Sequence, residues 1–384
     1  LAAKILISAG EASGDLYAAS LAAALRSRIA GVEFFGCAGP RMQAAGVRPV
    51  VDAHSLAVVG LIEVVAHIPR IYGEYRKLVR AARDERPDLA ILTDSPDFHL
   101  RLARQLRKLG IPVVYLVAPQ VWAWRKGRLP GMRRVIDHLL CIFPFEEEFF
   151  RKHGIETTYI GHPLSVLARP AFSKAEFFAR HGLDTGRPLI AILPGSRRGE
   201  AFRHLPELAG AIGRIASRRP ATFVLGLPAG RFIQAGPELT HFRERNPGVS
   251  IHIVEGETWD VLAHADVGLI ASGTVAVEAA VLGTPMVTFY KVTPLSWLVG
   301  KPLVDVPFYT MVNLVAGRAI VPELIQNEMT GERLAAEALK LLDDPAAQAQ
   351  MRRELQSVAA ALAGVESPMD RAAGVVERIL ATRR

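Results

Sequence analysis

What most constrains this chain is a cadence: short, wholly apolar, β-branched runs separated by longer stretches of helical periodicity. The runs fall at Lys4 to Ile7, Glu33 to Cys37, Leu89 to Thr93, Val113 to Val117, Leu139 to Ile142 and Thr158 to Ile160. A run that is apolar throughout, without alternation, must be covered on both faces, and strands joined through helices run parallel. The consequence is a doubly wound parallel sheet. After a polar stretch around Ser165 to Arg187 the cadence restarts, at Leu189 to Leu193, Thr222 to Leu227, Ile251 to Val254, Val267 to Ile270 and Met286 to Phe289. With 384 residues, the chain exceeds the usual span of one domain. Two Rossmann-like α/β domains are therefore expected, over residues 1–165 and 166–345, facing a cleft lined by the carboxyl ends of both sheets. The Ala/Leu-rich helical pattern after Glu332 predicts C-terminal helices, residues 346–384, packing across the domains.

A net charge of +8 favours anionic partners. At 7 % aromatic residues the chain lacks the stacking platforms of a single-strand binder, so phosphate and acidic lipid outrank nucleic acid, and no nucleic-acid partner is expected. The two cysteines, Cys37 and Cys141, lie in apolar runs, as reduced buried thiols of a cytoplasmic protein would, and neither disulfide nor zinc chemistry is indicated. No run approaches the roughly 18 to 20 apolar residues of a membrane span. One segment still suggests a membrane surface. From Val58 to Val79 apolar residues crowd one side while Arg70, Arg76, Lys77, Arg80 and Arg83 gather towards the end, the pattern of an interfacial helix on anionic lipid, or equally of a core-facing helix with a solvated face. Pro69 is expected to divide it into two short helices.

The chemistry-bearing residues sit where strands end. The first run exits into Ser8-Ala-Gly-Glu-Ala-Ser-Gly-Asp15, with Ser13 or Asp15 expected to cap the following helix and Glu11 in the crevice where open α/β sheets bind ligands. Gly10 and Gly14 do not complete a dinucleotide fingerprint, so they serve backbone geometry. Leu89 to Thr93, taken as the third strand, exits into Asp94-Ser-Pro-Asp-Phe-His99. Asp94 there is a candidate general base or a cap, Asp97 a cap after Pro96, and His99 a surface or core residue. Pro119 to Lys126 carries Trp122, Trp124 and Arg125, fit either for an anionic lipid headgroup or for packing in a corner. In the second domain Pro194 to Glu200 and Ala271-Ser-Gly-Thr274 both lead from a strand into a helix. The first offers Arg197, the second Ser272, Gly273 and Thr274, to a diphosphate, and Glu278 one turn on can take both hydroxyls of a ribose.

The motifs AGEASGD (Ala9 to Asp15), AGPRMQ (Ala38 to Gln43), TDSPDF (Thr93 to Phe98), PQVWAW (Pro119 to Trp124), Gly161-His162-Pro163, LPGSR (Leu193 to Arg197), ASGT (Ala271 to Thr274) and NLVAG (Asn313 to Gly317) together resemble the lipid-A-disaccharide synthase family, in unbroken order to about Pro322. Two departures are small: Val312 precedes Asn313 where the family has proline, and the chain begins at Leu1, so a few residues are expected before it. The resemblance implies a GT-B fold and an inverting glycosyltransferase. Its reaction moves 2,3-diacylglucosamine from UDP-2,3-diacylglucosamine to the 6-hydroxyl of 2,3-diacylglucosamine 1-phosphate, releasing UDP, on the cytoplasmic face of the Gram-negative inner membrane.

Under that implication Asp94 is the base, with Glu11 a second carboxylate that orients the acceptor or takes the base role. Ser13, Gly14, Asp97, Trp122 and Arg125 line the lipid substrate. Arg197, Ser272, Gly273 and Thr274 hold the diphosphate, Glu278 the ribose, and Asn313 the nucleotide or its loop. Without an Asp-x-Asp motif no metal or other cofactor is expected, arginine and helix dipoles serving instead. The rival readings are a UDP-sugar 2-epimerase of the same fold and a non-enzymatic basic lipid-binding protein. Oligomeric state is open, a homodimer among the options.

Overall fold

A computed structural model describes residues 3–53, 61–229 and 244–382, with the side chains of 61–68, Leu295 and Val299 outside the description. The chain divides into two units, Leu1–Pro163 with Leu362–Arg384, and Leu164–Ala361.

The first unit is a seven-stranded sheet, parallel throughout: β1 (Lys4–Ser8), β2 (Glu33–Ala38), β3 (Arg48–Asp52), β4 (Leu89–Thr93), β5 (Val113–Leu116), β6 (His138–Cys141) and β7 (Thr157–Tyr159), in the order β3-β2-β1-β4-β5-β6-β7. β1, β4 and β5 lie at its centre and are almost entirely buried, as their unbroken apolar runs require. The Leu89–Thr93 run is thus the fourth strand, not the third. The strand missing from the sequence reading is β3, Arg48-Pro-Val-Val-Asp, an edge strand whose Pro49 cannot donate to a ladder and whose outer residues are exposed. Cys37 and Cys141 are free, buried thiols in β2 and β6, which burial pushes upward in pKa.

The second unit is a six-stranded parallel sheet: β8 (Leu189–Leu193), β9 (Thr222–Leu227), β10 (Ile251–Glu255), β11 (Val267–Ala271), β12 (Met286–Tyr290) and β13 (Glu323–Ile325), in the order β10-β9-β8-β11-β12-β13. Both orders reverse direction once, between β1 and β4 and between β8 and β11. Such a switch point opens a crevice at the strand carboxyl ends, where open α/β sheets take their ligands.

Helix Gly331–Asp343 packs against helix Arg198–Ala216, inside the second unit, and helix Pro368–Ala381 packs on helix Ala12–Arg28, inside the first. Helix Leu61–Glu85 is a single element, so Pro69 sits inside one helix and does not divide it. Its described part buries Leu78 and Ala82 and exposes Arg70, Arg76, Lys77, Arg80 and Arg83, while Tyr72 stacks on Tyr75 at 6.0 Å. Val58 to Gly60, and the side chains of Leu61, Ile62, Val65 and Ile68, lie outside the described residues. Among those residues no helix is long and apolar enough to cross a membrane.

Candidate active site

In the first unit, both strands at the switch point deliver their ends to one carboxylate. β4 stops at Thr93, and Asp94 and Ser95 then adopt left-handed backbone, φ +53° and +34°, before helix Pro96–Lys108 begins. Two consecutive non-glycine residues in that region are strained, by an order of 1–3 kcal/mol each, and persist only where the surroundings hold them. Here two side chains converge on the Asp94 carbonyl: the Tyr115 hydroxyl donates to it at 2.5 Å and His99 Nδ1 at 3.0 Å. With Nδ1 carrying the proton, Nε2 of a neutral imidazole accepts from the Ser8 hydroxyl, 2.8 Å away. His99 is completely buried, which pulls its pKa down to about 4 and keeps it uncharged at neutral pH.

The Asp94 carboxylate itself receives main-chain donors from the turn after β1. Gly10 N–H lies 2.9 and 3.1 Å from its two oxygens and Glu11 N–H 3.0 Å from Oδ2. Burial nonetheless dominates and pushes the Asp94 pKa up to about 7, against those N–H groups and with a smaller contribution from the Glu11 charge. Gly14 explains itself in this geometry: a Cβ there would stand 1.8 Å from Asp94 Oδ2, so only glycine lets helix Ala12–Arg28 approach the carboxylate.

Asp94, Gly14 and the Glu11 backbone are thus brought together, with Glu11 exposed at the N-cap position and Ser13 half-exposed in the first turn. Neither Ser13 nor Asp15 caps that helix. Asp15 is buried and reaches across to helix Pro40–Ala44, accepting from Arg41 N–H at 3.0 Å and Met42 N–H at 3.1 Å.

Asp97 likewise does not cap its helix, whose N-cap position Ser95 takes without a side-chain bond. It pairs with Arg125 at 3.2 Å and with Arg128, joining the Asp94 loop to the tryptophan loop, though at 72 % side-chain exposure such pairs contribute little stability. Of the two tryptophans, Trp122 is the packed one: it is buried edge-on against Phe145 at 5.0 Å and donates Nε1–H to Glu146 at 3.0 Å. Trp124 is 44 % exposed, with the Arg125 guanidinium 3.9 Å from the centre of its ring. Glu146, invisible in the sequence because it sits in an acidic run, is fully buried, and burial pushes its pKa up to about 8.

In the second unit, β8 leads through Gly195 (φ +123°) to Arg197 at the N-cap position of helix Arg198–Ala216. Buried His204, unmarked by any motif, pins this loop: Nδ1 donates to the Pro194 carbonyl at 2.7 Å while Nε2 accepts from Lys291 N–H at 3.0 Å. Desolvation lowers its pKa, consistent with that neutral tautomer. β11 leads to Gly273 and Thr274, both exposed at the N-terminus of helix Thr274–Leu282, with Glu278 half-exposed one turn on. The Ser272 hydroxyl donates to the Tyr309 carbonyl at 3.3 Å. Asn313 is fully buried and spends its amide on protein: Nδ2 donates to the Val321 carbonyl and Glu323, and Oδ1 accepts from Ile320 and Val321 N–H. These contacts tie Asn313 to the segment from Ile320 to Glu323. Among the described residues no group of three or more His, Cys, Asp or Glu side chains is gathered as a metal site would need.

Two parallel doubly wound sheets, each with glycine-bearing loops at its switch point, define the class: the GT-B-type fold of glycosyltransferases and UDP-sugar epimerases. Solved structures of that fold include UDP-GlcNAc 2-epimerase from Neisseria meningitidis bound to UDP-GlcNAc, with TM-score 0.66 and 13 % identity over 99 % of this chain and all of that one. The calicheamicin glycosyltransferase CalG4 has TM-score 0.61 and 17 % identity, over 99 % of this chain and 98 % of that one. Within the class, the sequence comparisons decide. The family model described as lipid-A-disaccharide synthetase matches residues 5–374. Lipid-A-disaccharide synthase of Solibacter usitatus is 61 % identical over 98 % of this chain and 97 % of its own, and that of Koribacter versatilis 46 % over 92 % of each. The chain belongs to the lipid-A-disaccharide synthase family, whose members are glycosyltransferases, and the epimerase reading is not favoured.

Proposed function

We propose that Asp94 is the general base of a disaccharide synthesis in which 2,3-diacylglucosamine passes from UDP to the 6-hydroxyl of 2,3-diacylglucosamine 1-phosphate. The observation that carries the reading is the environment of Asp94: a buried carboxylate at the switch point, fixed from both sides, with a pKa near 7. A base of that pKa is largely free at slightly alkaline pH yet strong enough to take a hydroxyl proton as the bond forms. The acceptor O6 attacks the donor's anomeric carbon, the bond from that carbon to the UDP oxygen breaks with inversion, and the O6 proton goes to Asp94. Glu11, in the turn after β1 whose N–H groups hold the Asp94 carboxylate, orients the acceptor.

Charge developing on the departing UDP falls to Arg197 and to the N-terminus of helix Thr274–Leu282, with Glu278 reaching the ribose. Trp124 and Arg125 offer an amphipathic, cationic edge to a lipid phosphate. The apolar and basic segment over 58–79 would bring the enzyme to the inner-membrane surface, a reading supported by the exposed arginines of helix Leu61–Glu85. The test is turnover of the two acylated substrates followed by mass spectrometry. Disaccharide 1-phosphate and UDP are expected; an epimerised UDP-sugar, or binding without turnover, refutes the reaction, and unimpaired turnover by Asp94→Asn moves the base role to Glu11.

A further inference from the structure

In the second unit, the chain between β12 and residue 310 leaves three large apolar side chains exposed. Short helix Pro294–Gly300 and the turn after it leave Leu298 73 % and Leu303 54 % exposed, and Tyr309 is 41 % exposed. The Trp297 ring lies 6.1 Å from Tyr309, and the Lys301 ammonium 5.8 Å from Trp297. Large aliphatic and aromatic side chains left in water within one short stretch forgo the free energy of burial, and clusters of this kind mark contact with a protein, a membrane or an apolar ligand.

The connection of this stretch says which ligand. Its last residue is tied to the diphosphate turn, because Tyr309 O accepts the Ser272 hydroxyl at 3.3 Å. The same end is fastened from below, Glu323 accepting from Tyr309 N–H at 2.8 Å and Thr310 N–H at 3.0 Å. In a 2,3-diacylated UDP-sugar the acyl groups leave the two ring carbons that follow the carbon bearing the diphosphate. A donor whose diphosphate sits at Ser272 to Thr274 therefore extends two hydrocarbon chains from within a few bonds of that turn, and each methylene shielded from water adds to affinity.

We propose that the stretch from Pro294 to Tyr309, through Leu298, Leu303 and Tyr309, is the resting surface for the donor's acyl chains and so sets preference for an acylated over a bare UDP-sugar. The proposal rests on the diacylated-donor reading given above. Its test is a Leu298→Ser/Leu303→Ser variant, both positions exposed, with affinities for UDP, UDP-glucosamine and UDP-2,3-diacylglucosamine measured by calorimetry, alongside acceptor KM and sedimentation with anionic vesicles. A tenfold or greater loss of affinity for the diacylated donor is expected, with UDP affinity, acceptor KM and vesicle binding kept; unchanged UDP affinity also reports an intact fold. Unchanged affinity for the diacylated donor overturns the proposal, and if vesicle binding is lost at the same time the stretch faces the bilayer instead. Wild-type protein that binds UDP but shows no preference for the acylated donor overturns the donor reading itself, a separate result.

Discussion

Consider Asp94→Asn as a perturbation of stability as well as of rate. The carboxyl stands at about 7 in the folded protein against 3.8 when free. A group whose folded pKa is raised binds its proton more tightly folded than unfolded, so its contribution is most favourable below 3.8 and is lost as pH rises towards 7. The slope is about 1.4 kcal/mol per pH unit, roughly 4 kcal/mol across the window, and flat above it. Asparagine removes that slope. It also turns an NH2 towards the Gly10 or Glu11 N–H, two donors facing each other, at a cost of about 1–3 kcal/mol. The variant should thus be less stable than wild type near pH 4 and about 1–3 kcal/mol more stable at pH 8. Urea midpoints followed from pH 4 to 8.5 give the first readout. The second is kcat/KM, which in wild type should rise through an apparent pKa near 7 and in the variant lie about 100-fold or more lower without that inflection. Parallel stability curves for the two proteins would show that Asp94 carries no buried charge, and the argument for its basicity would fail with them.

Other positions give independent checks. Gly14→Ala should displace the Asp94 carboxylate, a Cβ being 1.8 Å from Oδ2, and lower kcat by about 100-fold while UDP affinity, measured by calorimetry, is unchanged. His99→Leu removes one of two donors to the Asp94 carbonyl and strands the Ser8 hydroxyl; kcat should fall about tenfold with donor KM kept, and the urea midpoint should drop by an amount equivalent to about 1–3 kcal/mol. Asn313→Ala leaves the Ile320 and Val321 N–H groups without their acceptor inside the protein, and should cost about 2–4 kcal/mol in urea unfolding. His204→Leu frees the Pro194 carbonyl and should weaken UDP binding about tenfold, with the pH dependence of kcat untouched.

How much of this was legible in the sequence follows from what each residue answers to. β8 and β9 could be read to the residue because five and six consecutive buried positions leave no freedom in what the side chains are. Edge strands β3 and β13 could not, since one face and one edge meet water and Arg48, Pro49 and Glu323 are as acceptable there as apolar residues. The site divides on the same line. Asp94 declares itself by standing at a strand end, and the two strand-to-helix turns of the second unit declare themselves by glycine and hydroxyl residues next to a helix start. Residues defined by a remote partner do not: Asp15 looks like a cap for its own helix but serves Arg41 and Met42, and Asp97 looks like a cap but answers to Arg125. Tyr115 reads only as one more apolar strand position until its hydroxyl is seen on a carbonyl 21 residues away. That last contact is what converts a strand-end aspartate into a fixed one. Two left-handed residues in succession persist because β5, helix Pro96–Lys108 and the turn after β1 all supply donors, and of these only the helix is a neighbour of Asp94 along the chain, no local pattern connecting it to the other two. A carboxylate that holds its position while burial lifts its pKa needs such non-local support, so the contacts that fix Asp94 are less visible along the chain than Asp94 itself.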